Sequence, residues 1–432
     1  MTYDEAVEYM LQLNKRGIHP GLTGIEKLCK VLDNPEEGLK VIHVVGTNGK
    51  GSTSLFIANI LRAAGYRVGR FSSPAVFNER EIITVNNKPI TKDEYATLTE
   101  KIMAANDMGC TRFEVETVMA FMFFKKMNCD VVVLEAGMGG LTDATNVVKE
   151  CEECVFTSIG LDHTDYLGNT IEAITDNKTG VIKRNCVVVT TAQKPEVTAI
   201  IAKKAEADDS DFFEAKANDI SNVKYKLSGT TFDYKDLKKL SVSLLGSFQP
   251  VNAALAIEAV RALSTKGFNV KESHIRKALA DTKIEGRFEK ICDKPLIYID
   301  GAHNEPASLE FVKSVTTYFT KKKIVYIMGM LKDKDCETVV KNTANLADCI
   351  FTVKTPNKLR TLSAFELADI IRPYNPMVSS MDSIEEALEL ASMMADKDTV
   401  IIVFGSLSHL SLVKGAVRNM DFSKRDAHGV GR

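Results

Sequence analysis

The stretch Val41-Ile-His-Val-Val-Gly-Thr-Asn-Gly-Lys-Gly-Ser52 decides the fold of the first half of this 432-residue chain. Its apolar beginning, Val41–Val45, predicts a buried strand, and the pattern from about residue 50 to residue 64 predicts a helix. The glycine-rich segment between them, residues 46–52, therefore turns a strand into a helix. That context is the one that a phosphate-binding loop requires.

Three features of residues 46–52 suit the phosphates of a nucleotide. Glycines let backbone N–H groups converge on phosphate oxygens, and the helix N-terminus adds a partial positive charge. Lys50 can reach the terminal phosphates, and the hydroxyl of Ser52 can reach magnesium. The strict pattern GxxxxGK[ST] is not met, because Gly51 stands between these two residues. A glycine-rich turn without a ligand is the alternative, but the lysine and the flanking elements favour nucleotide binding.

Short apolar runs alternate with helical patterns along most of the chain, which predicts an α/β fold with helical crossovers. Residues 223–245 differ, because apolar and polar residues alternate there as in small antiparallel strands. A polar stretch ending in Pro295 predicts a boundary near residue 290, after which a smaller Rossmann-like α/β domain begins. The predicted divisions are residues 1–290, residues 291–420 and a polar tail of residues 421–432. Further predicted strands are residues 68–72, 130–134, 155–159, 187–191, 296–300, 324–328, 349–353 and 400–404.

Composition and charge exclude several classes of protein. Lysine and arginine number 55 and aspartate and glutamate 57, so the net charge of −2 excludes a general polyanion binder and predicts no nucleic-acid partner. No apolar run approaches the roughly 20 residues of a membrane span, and the acidic N-terminus lacks an apolar signal segment. Nine scattered cysteines, among which Cys151 and Cys154 lack a second pair for a zinc site, indicate free thiols in a reducing cytoplasm.

Three polar residues downstream of the loop are candidates for chemistry. Glu135 ends a predicted strand, and ligands of open α/β sheets bind outside the carboxyl ends of the strands. Beside a phosphate loop this carboxylate is placed to hold magnesium, although alone it would be read as an exposed loop residue. His163 follows another strand end, and Lys178 lies in a helical segment, residues 171–182. From spacing alone, a satisfied structural histidine and a solvated lysine are the more common interpretations.

Eight motifs together resemble those of a folylpolyglutamate synthase, an enzyme that belongs with dihydrofolate synthase to the Mur ligase superfamily. Each motif alone is weak, but the eight occur in the family's order and cover nearly the whole chain, which makes the set very specific. They are GTNGKGS (46–52), SSP (72–74), LEAGMGG with DATN (134–146), IGLDHTDYLG (159–168), NKTGVIK (177–183), NAALAIEA (252–259), EGRFE (285–289) and DGAHN (300–304).

The resemblance implies an N-terminal P-loop ATPase domain and a C-terminal Rossmann-like domain, with the active site in the cleft between them. It implies a cytoplasmic, monomeric ligase that uses ATP and two Mg²⁺ ions to add L-glutamate to the γ-carboxylate of a reduced folate. An acyl phosphate would be the intermediate, since a carboxylate needs a leaving group before an amine can attack it. Magnesium and Lys50 would offset the repulsion between the folate carboxylate and the triphosphate.

The resemblance also implies roles for individual residues. ATP would be bound by Asn48, Gly49, Lys50, Gly51, Ser52, Asn252, Arg287 and Asp300. The magnesium ions would be surrounded by Ser52, Ser73, Glu135 and His163. Lys178 matches the lysine that this superfamily carbamylates, and His303 would lie near the nucleotide and the incoming glutamate, so the implied catalytic residues are Lys178, Lys50 and His303. The pterin would lie near Phe113, Glu114 and Asp143.

Three positions depart from the family's pattern. Ala75 stands where the family usually has a histidine after the Ser-Pro pair, and Leu141-Thr142 replaces a pair that begins with arginine. The sequence around the modified lysine reads Asn177-Lys178-Thr179-Gly180 instead of Glu-Lys-Ala-Gly. The first two departures flank the expected pterin pocket, so they bear on substrate preference rather than on the chemistry.

Three alternatives stay open at this point. The enzyme could perform polyglutamylation alone, the addition of glutamate to dihydropteroate alone, or both, and retention of TRFE (111–114) and Asp143 favours both. A Mur-type ligase of peptidoglycan precursors is the second alternative, but the DGAHN and LDHTDYLG motifs favour the folate branch. A P-loop regulatory module that hydrolyses ATP slowly is the third, and it would need neither a second domain nor a carbamylated lysine.

Overall fold

The computed structural model describes residues 1–106, 109–356 and 360–420, and these residues form two compact units. Within those ranges the N-terminal unit comprises residues 1–224, 231–243 and 249–282, and the C-terminal unit comprises residues 225–230, 244–248 and 283–420. Both units are α/β, as the sequence predicts. The boundary near residue 290 stays a prediction, and the polar tail of residues 421–432 lies outside the described residues.

Eight strands form the sheet of the N-terminal unit: β1 (Val41–Val45), β2 (Val68–Phe71), β3 (Ile83–Val85), β4 (Lys88–Pro89), β5 (Val131–Glu135), β6 (Glu153–Phe156), β7 (Val187–Thr191) and β8 (Asp211–Ala215). Their order across the sheet is β4-β3-β2-β5-β1-β6-β7-β8. The strands from β2 to β8 in that order run parallel, whereas β3 and β4 are antiparallel at one edge. The sheet is therefore of the doubly wound kind that carries ligands at the carboxyl ends of its strands.

The α-helices of the N-terminal unit connect these strands and cover the sheet. They are α1 (Tyr3–Leu13), α2 (Thr23–Val31), α3 (Lys50–Ala63), α4 (Lys92–Ala105), α5 (Arg112–Lys126), α6 (Thr164–Leu167), α7 (Ile171–Thr179), α8 (Pro195–Ala207), α9 (Gln249–Ala262) and α10 (Glu272–Asp281). Helix α3 packs against both α9 and α10, so it is buried along most of its length. None of the helices in the described ranges is long and apolar enough to cross a bilayer.

A six-stranded sheet forms the C-terminal unit, with β12 (Glu289–Asp293), β13 (Leu296–Ile299), β14 (Lys323–Met328), β15 (Cys349–Thr352), β16 (Val378–Ser380) and β17 (Thr399–Phe404). Their order is β12-β13-β17-β14-β15-β16, and all pairs are parallel except β12 with β13. The α-helices of this unit are α11 (Glu305–Tyr318), α12 (Cys336–Thr343), α13 (Ala364–Ile371), α14 (Ile384–Met394) and α15 (Leu410–Asn419). This restart of the α/β rhythm confirms the Rossmann-like prediction.

A small third sheet lies where the sequence predicts short strands. It has the order β11-β10-β9, made of β9 (Ile220–Lys226), β10 (Gly229–Tyr234) and β11 (Leu237–Val242). In β11 the apolar residues Leu237, Leu240 and Val242 are buried, and the polar residues Lys238, Lys239 and Ser241 are exposed, as expected of a strand with one solvated face.

The central strands of the N-terminal unit owe their position to their apolar residues. Every residue of β1, β5 and β7 is buried, because parallel strands covered by helices on both faces are built mainly of apolar residues. Register then aligns their carboxyl ends: Val44 of β1 pairs with Glu135, the last residue of β5, and Val45 pairs with Phe156, the last residue of β6. The loops after these strands therefore emerge side by side at one edge of the sheet.

Candidate active site

The loop that joins β1 to α3 is held by the segment that follows β6. The backbone N–H groups of Thr47 and Asn48 donate to the Ser158 carbonyl at 2.8 and 3.3 Å, and Thr47 Oγ1 donates to the Gly160 carbonyl at 2.9 Å. Gly49 is the N-cap of α3 and has no side chain with which to cap it. The positive end of the helix dipole therefore lies at the loop, where it favours an anion.

Two glycines of the loop are required by their neighbours as well as by their backbone angles. Gly46 and Gly49 have φ values of 151° and 89°. A Cβ atom on Gly46 would lie 1.8 Å from Thr157 Oγ1, and one on Gly49 would lie 2.6 Å from Asn252 Oδ1. Asn252, which the sequence assigns to ATP, therefore lies directly against the phosphate loop.

Two lysine side chains converge on one backbone carbonyl of the loop. Lys50 Nζ donates to the Gly46 and Thr47 carbonyls at 3.2 Å each, and Lys178 Nζ donates to the Gly46 carbonyl at 2.9 Å. Lys178 is only 3% exposed, so it is not a solvated surface residue. Burial and the positive charge of Lys50 lower the pKa of Lys178 to about 7, against the opposing attraction of Asp143. A large part of Lys178 is therefore the uncharged amine at neutral pH.

Glu135 and Ser52 supply buried oxygen atoms at the same edge of the sheet. Glu135 ends β5 and Ser52 lies in the first turn of α3, and they are 5% and 4% exposed. Arg70, on the adjacent strand β2, attracts the Glu135 carboxylate electrostatically. No three His, Cys, Asp or Glu side chains form a metal cluster in the described part of the chain. A cation here would be held by one carboxylate, hydroxyls and ligand phosphates, and that set suits Mg²⁺.

Ser73 and His163 lie beyond the ends of β2 and β6, the strands that flank β5 and β1. His163 has a left-handed backbone, with φ of 52°, and its Nε2 atom lies 3.9 Å from Asp162 Oδ1. Its side chain is 36% exposed, so it is not a buried structural histidine. The four expected magnesium ligands thus lie at the end of β5, in the first turn of α3, or in the segments that follow β2 and β6, whereas their shared role as ligands stays a prediction.

Two of the residues expected near the pterin have clear structural contacts. The ring of Phe113 packs on Phe71 with centroids 5.8 Å apart, and a Cβ atom on Gly137 would lie 2.6 Å from that ring. Glu114 Oε2 accepts hydrogen bonds from the N–H and hydroxyl groups of Thr111 at 2.7 and 2.8 Å. The bond from the Thr111 N–H, together with the Glu114 N–H donating to Thr111 Oγ1 at 3.4 Å, forms the capping box of α5, so Glu114 fixes the start of that helix.

A buried hydrogen-bond chain connects β1 to Asp143, the third of these residues. Asp143 accepts from the Met138 N–H at 2.7 Å and from both the N–H and the hydroxyl of Thr145, at 3.0 and 2.5 Å. His43 Nε2 lies 2.7 Å from Thr145 Oγ1. Because the hydroxyl gives its proton to Asp143, the Nε2–H group of His43 donates to it. Burial and the nearby Lys183 lower the pKa of His43 to about 3, so the ring is neutral.

Three residues expected to contact ATP or glutamate lie in the C-terminal unit: Arg287 precedes β12, and Asp300 and His303 follow β13. Asp300 accepts from the Phe288 N–H at 2.8 Å and from the Ala302 N–H at 2.7 Å. Burial raises the pKa of Asp300, while Arg287 attracts its carboxylate and opposes that rise. His303 Nδ1 lies 2.7 Å from the Gly301 carbonyl, just before α11. The motifs EGRFE and DGAHN, separated in sequence by β12 and β13, therefore form one cluster.

Comparisons with known proteins match both halves of the chain. Residues 44–260 match the Mur ligase middle domain, and residues 286–407 match the glutamate ligase domain of Mur ligases. A dihydrofolate synthase/folylpolyglutamate synthase of Bacillus subtilis is 32% identical over 427 residues, which cover 96% of this chain and 98% of the relative. The chain belongs to the folylpolyglutamate synthase/dihydrofolate synthase family of Mur ligases. As a Mur ligase, it is an enzyme of the ligase class.

Other members of the folylpolyglutamate synthase/dihydrofolate synthase family match over similar lengths. The folylpolyglutamate synthase of Lacticaseibacillus casei is 33% identical over 434 residues, with 96% of this chain and 98% of the relative covered. The solved structure of Escherichia coli FolC in complex with DHPP and ADP has a TM-score of 0.85 and 28% identity over 97% of this chain and 98% of that chain. Mycobacterium tuberculosis folylpolyglutamate synthase, complexed with ADP and AMPPCP, has a TM-score of 0.85 and 26% identity, covering 96% and 99%. The predicted fold class is confirmed.

Three residues of this family member contact the candidate site and were missed by sequence reasoning. Arg70 lies beside Glu135, Thr157 fills the space next to Gly46, and His43 supports Asp143 through Thr145. Each is a polar residue within or directly after an apolar strand. A polar residue within a predicted buried strand is unusual, and that signal could have identified His43 and Arg70 from the sequence.

Proposed function

We propose that this protein uses ATP to add L-glutamate to the γ-carboxylate of a reduced folate. Curated relatives are named folylpolyglutamate synthase, and related structures contain ADP, AMPPCP or DHPP, which supports the proposal. The observation that carries it is the position of Lys50, whose Nζ donates to the Gly46 and Thr47 carbonyls of the glycine-rich loop at the start of α3. A lysine ammonium group at a helix N-terminus suits a polyanion such as a triphosphate.

The reaction needs an activated carboxyl group, because a carboxylate is a poor electrophile at neutral pH. The γ-phosphoryl group of ATP passes to the folate carboxylate, which gives an acyl phosphate and ADP. The amine of glutamate then attacks the carbonyl carbon, and the tetrahedral intermediate expels phosphate. Lys50 and the N–H groups of Gly46, Gly49 and Gly51 stabilise the negative charge that two anions bring together, whereas the Asn48 N–H is bonded to the Ser158 carbonyl.

The residues at the sheet edge fit magnesium, and we propose that two Mg²⁺ ions are held there. Glu135, Ser52 and Ser73 offer hard oxygen donors, and the buried Glu135 carboxylate already faces a cation, Arg70. His163 is a less usual ligand, and its proposed role rests on the family resemblance. When bound, magnesium supplies charge neutralisation on the transferred phosphoryl group.

We propose that Lys178 acts as a carbamate. Its amine is buried and has a lowered pKa, so the neutral form that reacts with CO₂ is well populated near pH 7. An ammonium group at that position lies close to the Lys50 ammonium, since both donate to the Gly46 carbonyl. Conversion to an anionic carbamate replaces this repulsion with attraction.

For the C-terminal unit we propose contacts to ATP and to the incoming glutamate. Arg287 and Asp300 attract one another, and two backbone N–H groups orient the Asp300 carboxylate. In the N-terminal unit, Asn252 lies against the phosphate loop and is proposed to contact ATP. His303 is proposed to lie near the nucleotide and the glutamate amine.

Release of ADP tests the proposal directly. ADP should appear slowly with Mg²⁺ and ATP alone and rapidly when a reduced folate and glutamate are both present, and mass spectrometry should find folate extended by glutamate. Lys50→Ala should abolish the reaction. Lys40 is an exposed lysine just before β1, and Lys40→Ala should leave the reaction unchanged. Equal ADP release without folate or glutamate would contradict the ligase and favour a regulatory ATPase, and turnover of peptidoglycan precursors would favour the other Mur ligases.

We propose a second activity, the addition of glutamate to dihydropteroate. The reason is that the chain retains Glu114 and Asp143, two of the residues expected near the pterin. Glu114 caps α5, and Asp143 is fixed by three hydrogen bonds. The B. subtilis relative carries both names. If the enzyme extends tetrahydrofolate but never dihydropteroate, this second activity is absent, and Ala75 and Leu141-Thr142 become the first candidates for the cause.

We also propose that the enzyme works as a cytoplasmic monomer whose partners are small molecules, with no nucleic-acid or membrane partner. The net charge of −2 and nine free thiols support this proposal. Light scattering during gel filtration tests the monomer, and a mass of 47.6 kDa is expected. Twice that mass would contradict it.

A further inference from the structure

Three cysteine sulfurs form a continuous cluster away from the candidate active site. Cys154 Sγ lies 3.8 Å from Cys151 Sγ and 3.9 Å from Cys186 Sγ, so one central thiol contacts two others. Cys151 precedes β6, Cys154 lies within β6, and Cys186 immediately precedes β7. Since β6 and β7 are parallel neighbours, the cluster occupies the amino edge of the sheet, opposite the edge that carries the loop.

The three thiols differ in burial, and therefore in how readily a dissolved reagent can reach them. Cys154 is 0% exposed and Cys186 is 1% exposed, whereas Cys151 is half-buried. A dissolved reagent therefore reaches Cys151 first. Cys151 and Cys186 lie just outside β6 and β7, whereas Cys154 lies within the ladder of β6. A disulfide needs an S–S distance of about 2.05 Å, so each contact must shorten by about 2 Å.

Hydrogen bonding around the cluster favours a thiolate at one end. The hydrogen bond between Cys186 and Cys154 lowers the pKa of the Cys186 thiol to about 6, helped by Ser210 Oγ at 3.5 Å. The same sulfur contacts raise the pKa of Cys154 well above its usual value. Glu153 is fully buried, and burial raises the pKa of its carboxyl group, which disfavours a second negative charge beside this thiolate.

We propose that Cys151, Cys154 and Cys186 form an oxidation site at which a hydroperoxide produces an intramolecular disulfide centred on Cys154. The site is independent of the proposed ligase function, because none of its residues belongs to the candidate active site. It needs no metal, and the hydroperoxide is the only oxidant.

The chemistry balances over three steps. The Cys151 sulfur attacks one peroxide oxygen, the O–O bond breaks, and a sulfenic acid forms with release of water. The Cys154 thiol then attacks the sulfenic sulfur, a second water leaves, and the Cys151–Cys154 disulfide forms. The Cys186 thiolate finally attacks Cys154 Sγ, the first disulfide breaks, and Cys151 leaves as a thiolate that takes up a proton. The two electrons reduce one peroxide to two waters, and the product is a buried Cys154–Cys186 disulfide.

Peptide mapping after oxidation tests this order. The full-length protein is treated with hydrogen peroxide, its remaining thiols are blocked with N-ethylmaleimide, and disulfide-linked peptides are identified by mass spectrometry. We expect the wild-type protein to contain Cys154 linked to Cys186, with Cys151 blocked as a thiol. Cys186→Ser should stop at the Cys151–Cys154 disulfide. Dithiothreitol should restore all three thiols.

Cys151→Ser gives the kinetic test, and because Cys151 is half-buried the substitution does not open the core. Disulfide formation should slow about tenfold, since the two remaining thiols are almost inaccessible. Cys129→Ser is the matched control, because Cys129 is also half-buried, and in the described residues no second sulfur lies within hydrogen-bonding distance of it. Its rate should equal the wild-type rate. Oxidation without any Cys154-linked peptide, or a Cys151→Ser rate equal to the wild type, would overturn the proposal, and a wild-type product that stays Cys151–Cys154 would overturn the exchange step.

Discussion

The side-chain oxygen of Asn252 occupies the place that a Cβ atom on Gly49 would need, 2.6 Å from its ideal position. We therefore expect Gly49→Ala to push Asn252 away from the loop and to distort the N-terminus of α3. The positive φ alone costs roughly 1–3 kcal/mol for a residue with a side chain. In ATP titrations the variant should show a KM for ATP raised at least tenfold, together with a lower Tm.

Gly65 provides the control for this prediction. Its φ of 99° is similar, but nothing lies within 4 Å of the position of a Cβ atom. Gly65→Ala should therefore lose stability from backbone strain while keeping the wild-type KM for ATP. If the two alanine variants had the same KM, the contact between Asn252 and the loop would have no role in nucleotide binding.

Chemical rescue can test the carbamate at Lys178. Lys178→Ala should abolish ligation, but the variant should still bind ATP through Lys50 and the loop. The truncation leaves a space where the carbamate stood. Formate or acetate at high concentration should therefore enter that space and restore part of kcat. Lys178→Arg should not be rescued, since it fills the space and keeps a positive charge. Full activity of Lys178→Ala without an additive would exclude a catalytic carbamate.

Burial of Lys178 also predicts a pH-dependent cost to stability. Its pKa is about 7 in the folded protein and about 10.5 when unperturbed, so the unfolded state binds more protons between these values. Through this group, wild-type stability rises with pH from about 7 to about 10. Lys178→Met should be more stable than the wild type at pH 7, by a few kcal/mol, and the difference should shrink toward pH 10. Urea unfolding in CO₂-free buffer measures it, and a difference independent of pH would contradict the prediction.

Magnesium titrations distinguish a metal role from a nucleotide role at the sheet edge. His163→Ala removes a half-exposed side chain, so activity should fall while the fold stays intact, and excess Mg²⁺ should restore part of it by mass action. Glu135→Ala should behave similarly but also lose stability, because Arg70 then keeps fewer negative neighbours. His19 is an exposed histidine between α1 and α2, and the activity of His19→Ala should equal that of the wild type. Wild-type rates in either site variant would show that the assignment is wrong there.

Thr145 can be tested as the support of Asp143. Thr145→Val removes a hydroxyl that donates to Asp143 and accepts from His43, so the buried His43 Nε2–H group loses its acceptor and Asp143 loses one of its three donors. We expect a loss of about 2–4 kcal/mol in unfolding free energy. Thr145→Ser keeps the hydroxyl and should recover most of the stability. Equal stability of the two variants in urea would show that the chain of hydrogen bonds contributes little.

The central strands could be predicted from the sequence because a buried strand consists largely of consecutive apolar residues. The runs at residues 41–45 and 187–191 are mainly apolar and match β1 and β7. The edge strands carry no such signal: β8 reads Asp-Phe-Phe-Glu-Ala, and β4 is only Lys-Pro. A strand at a sheet edge is buried less, so its residues are not required to be apolar.

The candidate site divides in the same way. The phosphate loop is local, so seven consecutive residues suffice to indicate it. The contact of Lys178 with Gly46 joins residues 132 positions apart, and that of His43 with Thr145 joins residues 102 apart. No single-residue property encodes such pairs. Only the family resemblance indicated Lys178, and nothing indicated that its amine would share a carbonyl with Lys50.

The edges of the large sheet also bear on how the newly made chain avoids aggregation. An exposed edge offers backbone N–H and C=O groups to the strands of other molecules. On one side the N-terminal sheet ends in β4, whose two exposed residues include a proline that cannot donate. On the other side β8 carries Asp211 and Glu214, so two such edges would repel each other. Concentrated protein should therefore remain dispersed without growing into extended sheets, even while other parts of the molecule are still folding.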